Sequence, residues 1–183
     1  MTTASKPNLG AHTATPADSG LRDKLVVMAK SAAREESLDP ALVCAIAEQE
    51  SGWDANAIRM EPLFLLKYVK PLAAKQPMLP TEMIGRSTSF GLMQLIGQVA
   101  RELGFLNTFD SLCNPTVGLI WGCRHLSGLM RSVKEEAKQE VGGSGTADPV
   151  TELDIVRRTL LRYNGGADKA YADKVLARVA KYQ

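Results

Sequence analysis

Leu38-Asp39-Pro40-Ala41-Leu42-Val43-Cys44-Ala45-Ile46-Ala47-Glu48-Gln49-Glu50-Ser51-Gly52-Trp53 is the stretch on which the reading of this chain turns. Asp39 is a good N-cap and Pro40 suits the first helical position. Leu38 and Val43 stand where a hydrophobic staple closes. The sequence therefore predicts a helix from Pro40 to about Ser51. On it Val43, Ile46, Ala47 and Glu50 recur at i, i+3, i+4 and i+7, so Glu50 continues the stripe that should face the core. Glu48 lies about 200° around the same helix and reads as a solvated partner of Lys or Arg. A carboxyl held half-buried is costly to ionise, which suits a general acid at neutral pH. The plainer alternative is a rim carboxylate caught by an arginine such as Arg59.

Helical signals continue on both sides. Upstream, Leu21, Leu25, Val26, Met28, Ala29, Ala32 and Ala33 form an amphipathic helix that ends before Ser37. Residues 1–19, rich in Thr, Ala, Ser, Pro and Gly, read as a flexible arm ahead of a single domain, 20–183. Downstream, helices are predicted at about Glu61–Val69, Thr81–Arg86 and Gly91–Leu103, the last stopped by Gly104, then a long one from Pro115 capped by Asn114. Gly142-Gly143-Ser144-Gly145-Thr146 reads as a break. Asp148 and Pro149 then open a helix to about Tyr163, and Asn164-Gly165-Gly166 turns the chain. Asp168 caps a final helix with the apolar face Tyr171, Val175, Val179 and Tyr182. No alternating segment is long enough to read as a strand, so the fold class is all-α.

Composition narrows function. The 183 residues are 45% hydrophobic and 23% charged, ordinary for a globular domain and far from the composition of disorder. A formal net charge of +2 provides no strong field toward nucleic acid. Cys44, Cys113 and Cys123, with only His12 and His125 as imidazoles, argue against a zinc site or a disulfide framework and read as reduced thiols. No apolar run reaches the ~20 residues of a membrane span, and the N-terminus lacks the apolar core of a signal peptide. The chain thus reads as made in the cytoplasm, monomeric and free of cofactor or metal.

Four blocks occur in order: Glu50-Ser51-Gly52-Trp53; Ser89-Phe90-Gly91-Leu92-Met93-Gln94; Asn114-Pro115 with Gly118; and Tyr163-Asn164-Gly165-Gly166 with Tyr171. Together they resemble the lytic transglycosylase domain of the soluble lytic transglycosylase type, family 1, over about residues 39–183. The resemblance implies a lysozyme-like fold whose cleft binds peptidoglycan glycan strands. It also implies Glu50 as the catalytic residue, cleaving the β-1,4 bond between N-acetylmuramic acid and N-acetylglucosamine to leave a 1,6-anhydro end. Ser51 would orient Glu50 or meet the sugar, or simply be a helix-terminal hydroxyl. Gln94 would bind the glycan, Met93 would line the cleft, Tyr163 would set its hydroxyl near Glu50, and Asn164 would contact an N-acetyl group. For Tyr171, packing and substrate contact are equally open.

The chain departs from that family in one place. Thirty-nine residues separate Ser51 from Gly91, so an insertion at about 57–88 is expected. It reads either as a cleft wall that offers Glu61 or Arg59 to substrate, or as surface elaboration packed by Leu63, Phe64, Leu66 and Tyr68. Asp54 and Glu61 are the candidates for a second acid, which would allow hydrolysis by a muramidase instead. A catalytically silent glycan-binding module and a helical interaction domain are the readings from other classes. The missing leader resembles phage or prophage enzymes, endolysins or secretion-system accessories.

Overall fold

Local capping chemistry sets the central helix. In the computed structural model, which describes residues 16–143 and 150–183, the helix α2 spans Pro40–Ser51. The Asp39 side chain accepts from the Ala41 amide at 2.9 Å, and every residue from Ala41 to Ala47 is buried. Apolar residues all round α2 leave it no solvated face until Glu48, so it forms the core axis against which other helices pack. The flanking α1, Pro16–Glu35, begins four residues inside the segment expected to be a flexible arm. The rest of that arm lies outside the described residues.

After α2 the chain makes a small antiparallel sheet that the sequence did not announce. Strands β1 (Ile58–Met60), β2 (Thr88–Phe90) and β3 (Leu95–Ile96) pair in that order, with Ile58 opposite Phe90 and Phe90 opposite Leu95. Strands of three, three and two residues are too short to show a period, and propensity alone does not reveal them. The expected helix Gly91–Leu103 is therefore corrected. Gly91–Gln94 is a turn between β2 and β3, and only α6, Gly97–Glu102, is helical.

The insertion leaves the sheet after β1. It runs as α3 (Pro62–Phe64), a π turn (Leu65–Val69), α4 (Lys70–Lys75) and α5 (Pro80–Arg86) before returning into β2. Of its first three pieces only Val69 is fully buried, with Phe64, Leu65, Leu72 and Ala73 half-buried beside it. Phe64 is half-buried against Tyr68, whereas Leu63, Leu66 and Tyr68 are exposed; the idea that these four pack the insertion inward holds only for Phe64.

A 3-10 turn, Phe109–Cys113, leads to the long helix α7, Pro115–Gly143. Asn114 caps it as expected, its side-chain oxygen accepting from Thr116 and Val117. The break expected at Gly142 to Thr146 is corrected at its start, since α7 continues through Gly142 and Gly143; residues 144–146 and the pair Asp148 and Pro149 lie outside the described residues, and the helix expected to open at that pair begins only at Glu152. The next helix, α8, spans Glu152–Tyr163 and starts from a capping box between Thr151 and Asp154. The last, α9, spans Tyr171–Val179, and Asp168 caps the turn ahead of it by accepting from the Ala170 amide.

The main core joins α1, α2, α7, α8 and α9; Phe90, Leu95, Ala100, Phe105 and Leu112 make a second cluster under the sheet. Cys44 and Cys123 lie in the first cluster, where burial pushes their thiols up to about 11 and about 12. They are inert apolar fillers.

A candidate active site at the end of the core helix

Glu50 is positioned by the last turn of α2, where the buried helix emerges from the core and the residue becomes half-exposed. Its neighbour across the site is α9. Tyr171, at the first turn of α9 and 3% exposed, donates its hydroxyl to Glu50 Oε1 at 2.5 Å. Burial and the nearby Glu50 charge hold the Tyr171 hydroxyl protonated far above its ordinary range, so it is a permanent donor to this carboxyl.

The tyrosine expected at this place was Tyr163. Its hydroxyl instead donates to the Met93 carbonyl at 2.7 Å, with the Glu50 charge close enough to raise its pKa further after burial has done so. Tyr163 therefore braces the β2–β3 turn, and Tyr171 is the direct partner. Met93 is corrected as well. Its side chain is 1% exposed and lies so close over α7 that a Cβ on Gly122 would come within 2.5 Å of the Met93 sulfur. The residue serves the site through its main-chain oxygen, and its thioether belongs to the core.

The turn that faces Glu50 is held from several directions. Ser51 is bonded through its hydroxyl to the carbonyls of Ala47 and Leu92, both at 3.0 Å, which staples the end of α2 to this turn. Of the roles open to Ser51, this is the helix-terminal hydroxyl, with a loop-fastening task added. Gln94 donates from its amide nitrogen to the carbonyls of Ala57 (2.9 Å) and Gly91 (3.0 Å). Two carbonyl acceptors oblige the nitrogen to face them, which turns the Gln94 carbonyl oxygen away as the available acceptor. Gln94 and Trp53 adopt left-handed backbone, φ 46° and 72°, a conformation costing a non-glycine residue roughly 1 kcal/mol. Trp53 lies three residues beyond Glu50, and Gln94 two residues beyond Leu92, whose carbonyl Ser51 holds, so both strained residues stand on the two segments joined by Ser51.

Asn164 donates to the Asp168 carbonyl at 3.3 Å and shapes the loop that delivers Tyr171. Glu61 pairs with Arg59 at 2.7 Å, so the arginine proposed as a catcher of Glu50 is engaged elsewhere. The Asp54 side chain accepts from the Asn56 amide at 2.9 Å in a local turn. Glu48 is less solvated than its helical position suggested: Lys181 (3.0 Å), Tyr182 (2.8 Å) and Arg22 (3.4 Å) all reach it. Burial opposes its ionisation, yet these partners lower its pKa on balance. Trp53 also donates to the Tyr182 hydroxyl at 2.9 Å, so the C-terminal residues clamp the outer side of α2 and leave Glu50 on the inner side.

His125 is a residue the sequence reading passed over. It stands on α7 with its ring 5.3 Å from that of Tyr163, and burial drives its pKa down to about 4. The signal available was a histidine one turn beyond Gly122 on the long helix. Because the folded chain resists protonating this ring while the unfolded chain accepts the proton near pH 6.5, stability is full above that pH. It declines as pH falls from about 6.5 toward about 4, by on the order of 2–3 kcal/mol. Thermal unfolding followed across that range should show the decline, and His125→Phe should flatten it. A His125→Phe profile as steep as wild type would assign the decline to other groups.

Among the described residues no cluster of His, Cys, Asp and Glu is arranged to hold a metal ion, and no helix is long and apolar enough to cross a membrane. A helical body carrying a short antiparallel lobe, with one carboxyl where the core helix meets that lobe, places the molecule in the lysozyme-like class. Residues 27–175 match the family model of the transglycosylase SLT domain. The chain belongs to this family, and is a peptidoglycan-degrading enzyme whose substrate is the cell wall. No curated protein and no solved structure matches the chain.

Proposed function

We propose that the enzyme cleaves the β-1,4 bond between N-acetylmuramic acid and N-acetylglucosamine without water, with Glu50 as its only acid and base. The observation that carries this reading is the Tyr171 hydroxyl on Glu50 Oε1 at 2.5 Å at the exit of a buried helix. Protonated Glu50 gives its proton to the glycosidic oxygen as the muramic C1–O4 bond breaks, and N-acetylglucosamine leaves with that proton as its 4-hydroxyl. The carboxylate so formed takes the proton of the muramic C6 hydroxyl as O6 closes on C1. Glu50 ends protonated, ready for another turnover. The N-acetyl carbonyl of the muramic residue stabilises C1 between the two steps, the substrate assistance that dispenses with a second carboxylate.

The local partners found for Arg59, Glu61 and Asp54 support this reading over hydrolysis, since Glu61 is drawn to Arg59 and Asp54 to its own turn. The Gln94 carbonyl oxygen takes a sugar hydroxyl or acetamido N–H, and Asn164 supports the loop that delivers Tyr171. Mass spectrometry of fragments released from purified sacculi tests the proposal. Ends in 1,6-anhydromuramic acid are the expected product; reducing muramic ends would overturn it in favour of a muramidase, and binding without release in favour of a silent module.

Tyr171 positions Glu50 without touching the bond. Tyr171→Phe keeps the ring in the core and removes one hydroxyl. We expect kcat to fall about tenfold while KM and the melting temperature stay near wild type, the cost of one charge-assisted hydrogen bond in the reacting state. Steady-state turnover of soluble glycan strands reads this directly; a rise in KM at constant kcat would make Tyr171 a substrate contact instead.

A further inference from the structure

The whole-chain charge of +2 conceals an uneven distribution. Residues 57–88 carry five basic side chains against two acidic ones, and both acids are taken up by arginines: Glu61 by Arg59, and Glu82 by Arg86 and Arg101. Lys67, Lys70 and Lys75 are left, and among the described residues no carboxylate lies within ion-pair distance of any of them. The same arm exposes Leu63 (81%), Leu66 (55%) and Tyr68 (50%), which soluble surfaces ordinarily keep scattered. Leu63, Leu66 and Lys70 succeed one another at one-turn spacing, with Lys67 beside Leu66, because the π turn directs Val69 into the core and Leu66, Lys67 and Tyr68 outward. The neighbouring α5 packs on this turn and adds exposed Leu79 (72%) and Ile84 (53%).

We infer that the inserted arm, α3 through α4, is a membrane-surface element that lays its leucines into the headgroup boundary of an anionic bilayer while its lysines meet the lipid phosphates. Aliphatic side chains flanked by lysines are the composition of an interfacial helix, whose apolar face dips a few ångströms below the headgroups while the lysine stems snorkel. A glycan surface is built from aromatic platforms and fixed hydrogen-bonding groups, whereas here Tyr68 is a single exposed ring among the aliphatic Leu63, Leu66, Leu79 and Ile84. A protein interface would be depleted in lysine and enriched in arginine, whereas here the arginines are internally paired and the lysines are the cations without a carboxylate partner among the described residues, Lys67 lying over the Tyr68 ring at 5.2 Å. The arm springs directly from β1, and Ala57, just before β1, accepts from Gln94 at 2.9 Å. Lipid bound at the arm therefore holds the cleft beside the bilayer and selects the wall nearest to it.

The test is co-sedimentation of the full chain with vesicles of phosphatidylcholine alone, or with part of it replaced by phosphatidylglycerol. Wild type should sediment with the anionic vesicles, stay in solution with the neutral ones and be released by high salt. Lys67→Glu/Lys70→Glu/Lys75→Glu should lower the partition by at least about tenfold, and Leu63→Ser/Leu66→Ser should also weaken it. Both variants should keep the wild-type melting temperature and digest isolated sacculi normally, since every altered residue is exposed. Glu50→Gln should sediment as wild type does, so the inference stands or falls apart from the catalytic reading. Wild type remaining soluble with anionic vesicles would overturn it, as would a triple lysine variant that binds undiminished. A concentration-dependent dimer abolished by the leucine changes, with no vesicle binding, would overturn it in favour of a second copy of this chain.

Discussion

Glu50→Gln is expected to lower the rate of glycan cleavage by about a thousandfold or more, with sacculus binding retained and the melting temperature unchanged within a few degrees. The amide keeps the shape of the side chain, and its carbonyl oxygen still accepts from Tyr171. What disappears is the proton given to the leaving oxygen and the carboxylate that would recover one from the C6 hydroxyl. General acid and general base catalysis each contribute typically 10²–10⁴-fold, and here a single atom pair carries both, so the loss should be at the upper end. Release of soluble fragments from sacculi measures it, with a pull-down of the same sacculi as the binding control. Cleavage within tenfold of wild type would remove Glu50 from the chemistry; lost cleavage together with lost binding or a collapsed melting curve would mean that the variant reports on folding.

Gly91→Ala is expected to cost about 3 kcal/mol or more, a fall in melting temperature of roughly 6–12 °C for a chain of this length. Gly91 has φ +71°, and a Cβ there would meet the Leu112 carbonyl oxygen at 2.4 Å. The obstacle is main chain, which cannot swing aside as a flexible side chain would. The Gly91 amide also donates to Ala57 at 2.8 Å, so backing away from Leu112 pulls on the sheet. Gly104→Ala is the matched control: φ is +93°, but nothing lies within 4 Å of the added carbon. That variant should lose only the roughly 1–2 kcal/mol of the left-handed conformation itself. Equal losses at the two positions would show that the approach of the β2–β3 turn to Leu112 contributes nothing. Because this turn carries Met93 and Gln94, Gly91→Ala should also reduce activity at temperatures where the protein remains folded.

Much of the helical frame was legible because its causes are local. Asp39 with Pro40, Asn114 with Pro115, and the apolar stripes of α2 and α9 each state a boundary or a face within a few residues, and the structure agrees with them. Glu50 was legible for the opposite reason: it contradicts its local pattern, an acid on an apolar stripe. The sheet was illegible, since pairing between Ile58 and Phe90 closes a loop of more than thirty residues and no two-residue strand announces its partner. The reading of Gly91–Leu103 as helix failed there, where ladder hydrogen bonds and the close approach to Leu112 outweigh helical spacing.

By itself the sequence determined that this is a helical protein with one misplaced carboxyl and an exceptional insertion, because capping, periodicity and composition act over a turn or two of chain. Which tyrosine serves that carboxyl was decided by tertiary structure alone. Tyr163 and Tyr171 sit on consecutive helices joined by one short loop, and either hydroxyl is chemically suited to the bond. The packing of α9 across α2 brings Tyr171 to 2.5 Å from Glu50, while α8 carries Tyr163 to the Met93 carbonyl. A hydrogen bond is made or lost over a few tenths of an ångström, and that distance is set by how whole helices pack, which no neighbouring residue along the chain encodes.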